Sequence, residues 1–123
     1  MNSYKELIVW QKAFELTKEI YRLTGFFPKS ELYGLVDQLR RAAVSVTSNI
    51  AEGFSRKSIK ENAQFVSVAF GSTSEIETQL LLAKELKLAP SEEFIKVEGL
   101  LLEVRKMLNV MLSRLKLKSN SSN

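Results

Sequence analysis

The sequence predicts an all-α protein, an antiparallel up-down-up-down four-helix bundle. Three observations carry this expectation. Apolar residues recur at spacings of three and four throughout, and no alternating apolar run bounded by turn dipeptides is present. With two prolines and five glycines in 123 residues, strong breaks are few, and they fall at nearly regular intervals. Breaks at Gly25 to Pro28, Gly53 to Lys57 and Ala89 to Pro90 leave four segments, each long enough for a helix of about 20 residues, or ~30 Å.

The first segment, Tyr4 to Thr24, sets Val9, Ala13, Leu16, Ile20 and Leu23 on one stripe and Trp10, Phe14, Thr17 and Tyr21 on the next. In the second, Pro28 fixes an extended start and Ser30 is the expected N-cap. Leu32, Leu35, Leu39, Ala42, Val46 and Ile50 follow helically, and Gly53 is placed as a left-handed C-cap. The third opens on "SIKE", Ser58 to Glu61, a capping-box pattern, and continues through Val66, Ala69, Thr73, Ile76, Leu80 and Ala83. The fourth starts at Ser91 with Glu92 and Glu93 where negative charge suits the helix dipole, then runs Phe94, Val97, Leu101, Val104, Leu108, Met111 and Leu115. It carries more apolar residues than one stripe needs, so self-association through it, with the first helix contributing, is expected. Residues 1–118 read as one domain, and 119–123, "SNSSN", as a disordered polar tail.

Composition bounds the function. Hydrophobic residues make up 45% and charged residues 26%, an ordinary globular balance. The absence of cysteine and histidine excludes disulfides, zinc sites built on thiolate or imidazole, and nucleophile–histidine catalysis. No cofactor, metal or catalytic residue is assigned and the chain is not expected to be an enzyme. No stretch nears the ~18 apolar residues of a bilayer span and the first residues are too polar for a signal peptide, so a cytoplasmic, membrane-free protein is expected. The net charge of +4 and pI near 9.4 permit RNA or DNA contact without requiring it.

The stretch "RRAAVSVTSNIAEGFSR" gathers arginines around Asn49 and Glu52. Closing the second and third helices as a hairpin near Phe54 to Ser58 makes facing residue numbers sum to about 112, which brings Ala42, Ala43 and Ser45 to the region of Gly71, Ala69 and neighbouring Ser72, a close-packed seam of small residues that would explain Gly71. The same register sets Arg40 or Arg41 near Glu75, as an ion pair braced by Ser72 and Gln79. Asn49 and Glu52 are read mainly as pinning the interhelical turn, with Arg56, Lys57 and Lys60 as partners for Glu52. Arg105, Lys106, Arg114, Lys116 and Lys118 form a basic end to the last helix, with no acidic residue after Glu103.

Here "LIVWQKAFELTKEIYRLT", "FFPKSELYGLVDQLRRAAVSVTSNIAEGFSRKS" and "FGSTSEIETQLLLA" closely resemble the bacterial 23S rRNA intervening-sequence protein family. The likeness runs from about Leu7 to beyond Ala83. It implies an antiparallel four-helix bundle assembling as a homopentameric ring, and relatives that are accessory variability determinants of diversity-generating retroelements bind nucleic acid and a reverse transcriptase. The motif positions here are Arg40, Arg41, Asn49, Glu52, Gly53, Arg56, Ser72, Glu75 and Gln79. The expected function is a non-enzymatic homo-oligomeric scaffold. Its candidate nucleic-acid contacts are Arg40, Arg41, Arg56, Lys57, Lys60, Arg114, Lys116 and Lys118, and its structural motif is Asn49, Glu52, Gly53, Gly71, Ser72, Glu75 and Gln79. The alternative is a protein-interaction module, without nucleic-acid affinity, for a partner encoded nearby.

Overall fold

The computed structural model describes residues 2–121, without the side chain of Ser121. Four long helices, α1 (Ile8–Thr24), α2 (Asp37–Phe54), α3 (Ile59–Glu85) and α4 (Ile95–Ser121), account for most of them, and no strand occurs among the described residues. Each helix packs chiefly on its two neighbours around a ring, α1 on α2 and α4, α3 on α2 and α4. Cross-helix contacts run in opposite numerical order: Thr24 meets Arg40 where Thr17 meets Thr47, and Arg22 meets Glu93 where Lys12 meets Glu103. The bundle is therefore the antiparallel up-down-up-down form.

The predicted stripes face inward except at Leu32, which precedes α2 and is exposed. Val9, Ala13, Leu16, Ile20 and Leu23 of α1, Leu39, Ala42, Val46 and Ile50 of α2, and Val66, Ala69, Ile76, Leu80 and Ala83 of α3 are buried, as are Phe94, Val97, Leu101, Val104 and Leu108. Removing each of the large ones from water stabilises by roughly 1.5–3 kcal/mol before entropy is counted. Met111 and Leu115 are only partly covered, because the second half of α4 runs past the short α1.

Several local expectations are revised. The chain enters α2 through a 3₁₀ turn, Lys29–Glu31, and a π-type turn, Leu32–Val36, within which Gly34 is non-helical (φ −110°, ψ −113°). The orphan amide of Leu35 is taken by the Glu31 carboxylate at 3.3 Å, so the cap is Glu31 rather than Ser30. Ser58 does cap α3, accepting from the Glu61 N–H at 3.0 Å; its reciprocal partner bond is not formed. A second 3₁₀ turn, Ser91–Phe94, leads into α4. α4 itself runs through Ser119 and Asn120 to Ser121, into the segment expected to be disordered. With no glycine or proline after Gly99, an established helix propagates without a new nucleation cost. Ser122 and Asn123 of that expected tail lie outside the described residues.

Gly53 is not a left-handed cap. No glycine among the described residues has positive φ, and α2 continues through it to Phe54. Its role is close approach: a Cβ there would lie 2.8 Å from Asn62 Oδ1 and 3.1 Å from Phe65 Cβ. The left-handed residue is Lys87 (φ 55°). It closes α3 with Leu88 N–H to Ala83 O at 3.0 Å and Lys87 N–H to Lys84 O at 3.1 Å, the paired bonds of a Schellman motif.

Candidate functional site

The α2–α3 seam collects most of the motif residues. Gln38, Arg41 and Ser45 are spaced three and four apart on α2, and Ser72, Glu75 and Gln79 are spaced likewise on α3, so each set forms one stripe. Two rungs join them: the Gln79 Nε2 donates to Gln38 Oε1 at 3.2 Å, and the Ser45 and Ser72 hydroxyls are 2.9 Å apart. The Asn49 amide donates to Ser45 O at 2.8 Å and to its Oγ at 3.1 Å. Asn49 thus braces the seam instead of pinning the turn. The buried Gln79 Oε1 on the seam, and Asn62 Oδ1 beside Gly53, have no hydrogen-bond partner among the described residues.

This register sets Ser45 against Ser72, more than a helical turn further along α3 than expected. The physical reason is the linker, Ser55 to Ser58: the chain climbs past the end of α2 before α3 begins, leaving the first turn of α3 overhanging and Gly53 level with Asn62. A Cβ placed at Gly71 would meet no other group within 4 Å, and the residue is exposed; it is not the close contact expected of it.

The two arginines separate. Arg40 turns to α1, where its Nε donates to Thr24 Oγ1 at 2.9 Å and its guanidinium lies 4.5 Å from the Tyr21 ring centroid. It is committed to the fold and makes no pair with Glu75. Arg41 and Glu75 fall between the two rungs, both exposed, and no ion pair forms between them. Arg40 and Arg41 also sit about 20 Å up α2 from the turn, at 1.5 Å per residue, away from the other candidate contacts.

Those others gather at the opposite end of the bundle, where the α2–α3 turn and the last turns of α4 meet. Arg56 is half-engaged there: it pairs with Glu52 Oε1 at 2.8 Å and stacks 4.7 Å from the Phe65 ring centroid. Lys57, Lys60 and Lys116 are exposed and have no hydrogen bond or ion pair among the described residues. Lys60 and Lys116 line one groove of about 420 Å³ between α3 and α4, with Gln64, Ser67, Ser119 and Asn120. Amide and hydroxyl groups between two ammonium groups make a surface suited to phosphate oxygens.

The basic run of α4 is split between faces, which the sequence reading did not separate. Arg105 is internal: it donates to Thr73 Oγ1 and Ser74 Oγ, each at 2.9 Å, and lies over the Phe70 ring. Lys116 faces α3, whereas Lys106, Arg114 and Lys118 rim a second, apolar groove between α4 and the start of α1. The opposite end of the bundle carries an ion cluster. There Arg22 binds Glu19 at 2.7 Å and Glu93 at 2.6 Å, and Lys96 lies 3.5 Å from Glu19. The Arg22 hydrogen bond, with Arg22 and Lys96 charges adding to it against partial burial, holds the Glu19 carboxyl below its ordinary value. Among the described residues no three acidic groups gather as a metal-ligand set, and no helix is long and apolar enough to cross a membrane.

Comparison with known proteins finds a matching family and similar solved structures. The model of a family described as 23S rRNA-intervening sequence protein matches residues 5–110. A crystal structure of a protein with unknown function from the S23 ribosomal protein family of Bacteroides thetaiotaomicron VPI-5482 superposes with a TM-score of 0.79 at 21% identity, covering 85% of this chain and 98% of that one. At that identity the likeness is one of fold. No curated protein matches the sequence.

Proposed function

Since this chain belongs to the 23S rRNA-intervening sequence protein family, whose fold it has, we propose that it is a non-catalytic, homo-oligomeric scaffold that binds the phosphate backbone of RNA or DNA through one end of its bundle. One observation carries the reading: Lys57 and Lys60 at the α2–α3 turn and Lys116 near the end of α4 are exposed, have no acidic partner among the described residues, and share one bundle end, where Lys60 and Lys116 line one groove. Lysines held together without counter-charges bind phosphates collectively by releasing condensed cations, and an oligomer multiplies the effect. Arg56 supports the surface from the side, its charge partly spent on Glu52.

The test is a salt titration with a structured RNA. Affinity is expected to fall steeply as salt rises from ~50 to ~200 mM, with a log–log slope that counts the phosphates neutralised. Lys57→Glu, Lys60→Glu and Lys116→Glu together should lower affinity at least tenfold with helicity and assembly mass unchanged. Salt-independent binding, or none at ~50 mM salt, would sink the nucleic-acid reading.

A further inference from the structure

The apolar groove between the start of α1 and the last turns of α4 has no role in phosphate binding. It measures about 670 Å³ and is floored by Leu7, Val9, Met107, Met111 and Leu115, with Ile8 and Val110 on its lips. Two ridges of α4 build it. Residues 107, 111 and 115 form the apolar ridge, and Lys106, Val110, Arg114 and Lys118 form the next, because residues four apart stack on one helix face. From 106 to 118 the basic ridge runs about 18 Å, three to four helical turns.

Two features make this groove electropositive as well as apolar. Lys106 and Arg114 have no hydrogen bond or ion pair among the described residues, and Glu6 is the one acidic residue on the lining. The other wall is the N-terminus of α1, where no side chain caps the helix and no acidic residue occupies the first turn. Its unpaired amides and positive dipole end therefore open beside Leu7, Ile8 and Val9. An apolar trough with adaptable thioethers on its floor and cations along one ridge has the form of a helix-receiving groove.

We propose that this groove docks an amphipathic helix of a partner protein, about three turns long, whose apolar stripe lies on Met107, Met111 and Leu115 and whose acidic flank faces Lys106 and Arg114. A basic helix is repelled by that ridge, so the groove selects its ligand by charge and holds it by apolar burial. The site lies on the α1 side of α4, whereas Lys57, Lys60 and Lys116 lie on the α3 side and at the turn; partner docking and phosphate binding are separable.

Two labelled synthetic helices test this on the full chain. Each has about 14 residues and an identical leucine stripe, one with a glutamate flank and one with lysines in its place. By fluorescence anisotropy the acidic helix is expected to bind saturably, and the basic one roughly tenfold or more weakly, the combined effect of a few ion pairs. Val110→Glu, at a half-exposed lip where folding is little affected, should remove binding. Arg114→Glu should weaken the acidic helix and strengthen the basic one. Lys57→Glu with Lys60→Glu should leave peptide affinity unchanged while lowering RNA affinity, which keeps this proposal apart from the phosphate-binding one. Equal affinity for both helices, no saturable binding up to ~1 mM, or indifference to Val110→Glu would each overturn it. A fall in assembly mass in Val110→Glu would also overturn it, by showing that a second copy already covers the groove.

Discussion

Lys87 occupies a conformation that costs a side-chain-bearing residue about 1–2 kcal/mol, because Cβ crowds the neighbouring carbonyl. Its φ of 55° is imposed by the two hydrogen bonds that close α3. Lys87→Gly removes the crowding but adds freedom to the unfolded chain, so a net stabilisation of roughly 0.5–1 kcal/mol is expected in denaturant unfolding. Two of the helical glycines, Gly53 and Gly71, should respond oppositely to alanine. Gly53→Ala drives a Cβ to 2.8 Å from Asn62 Oδ1, with the Asn62 carbonyl 3.3 Å away and unable to yield, and is expected to cost about 1–3 kcal/mol. Gly71→Ala meets open space and should stabilise by up to ~1 kcal/mol through helix propensity. Destabilisation by Gly71→Ala would mean that another chain packs there. The sequence marked both glycines but could not tell them apart, since what distinguishes them is a neighbour on α3 and not any local pattern.

Between elements, the Glu19, Arg22 and Glu93 cluster ties α1 to the turn that leads into α4, and it has a pH signature. Glu19 binds its proton less readily folded than unfolded, because Arg22 hydrogen-bonds the carboxylate. Its contribution is therefore fully present above the ordinary value of 4.5 and is lost as pH falls through the lower folded value. The melting temperature of the native chain should exceed that of Glu19→Gln near neutral pH, and the gap should close as pH falls below the ordinary value of 4.5. A gap that does not change with pH would assign the effect to packing. At the same scale, the four stripes and the Ser58 cap were legible because each depends only on residues within a few turns. The α2–α3 register was not, because the path of the linker Ser55–Ser58 moves α3 by more than a turn; Arg41 and Glu75 fall level between the rungs yet both face solvent without pairing, and a side chain at Gly71 would face open space. The commitment of Arg40 to Tyr21 and Thr24 was equally hidden: its partners stand on another helix.

At the scale of the whole molecule, the modest net charge of +4 conceals a polarity. The end holding the α2–α3 turn and the tip of α4 is basic, and the end holding Glu19, Glu92 and Glu93 is not. Self-association remains a proposal, supported by the apolar side chains that α4 leaves uncovered: Ile95 and Leu102 share its outer face, and Leu102 lies beside the exposed Leu81 of α3. Leu102→Glu is expected to reduce the assembly mass in light scattering while leaving helicity intact; an unchanged mass would move the interface elsewhere, with the seam at Arg41 and Glu75 the next face to alter.

By itself the sequence determined the helical architecture, the identity of the core and the family, because periodicity, caps and motif order are carried by neighbours along the chain. Only the tertiary structure decided which basic residues are available. It consigned Arg40 and Arg105 to internal contacts, spent part of Arg56 on Glu52, brought Lys60 to Lys116, and turned Arg114 away to an apolar groove. Each of these outcomes depends on rotation and register between helices, and those are set by packing across the bundle, which leaves no imprint on local spacing.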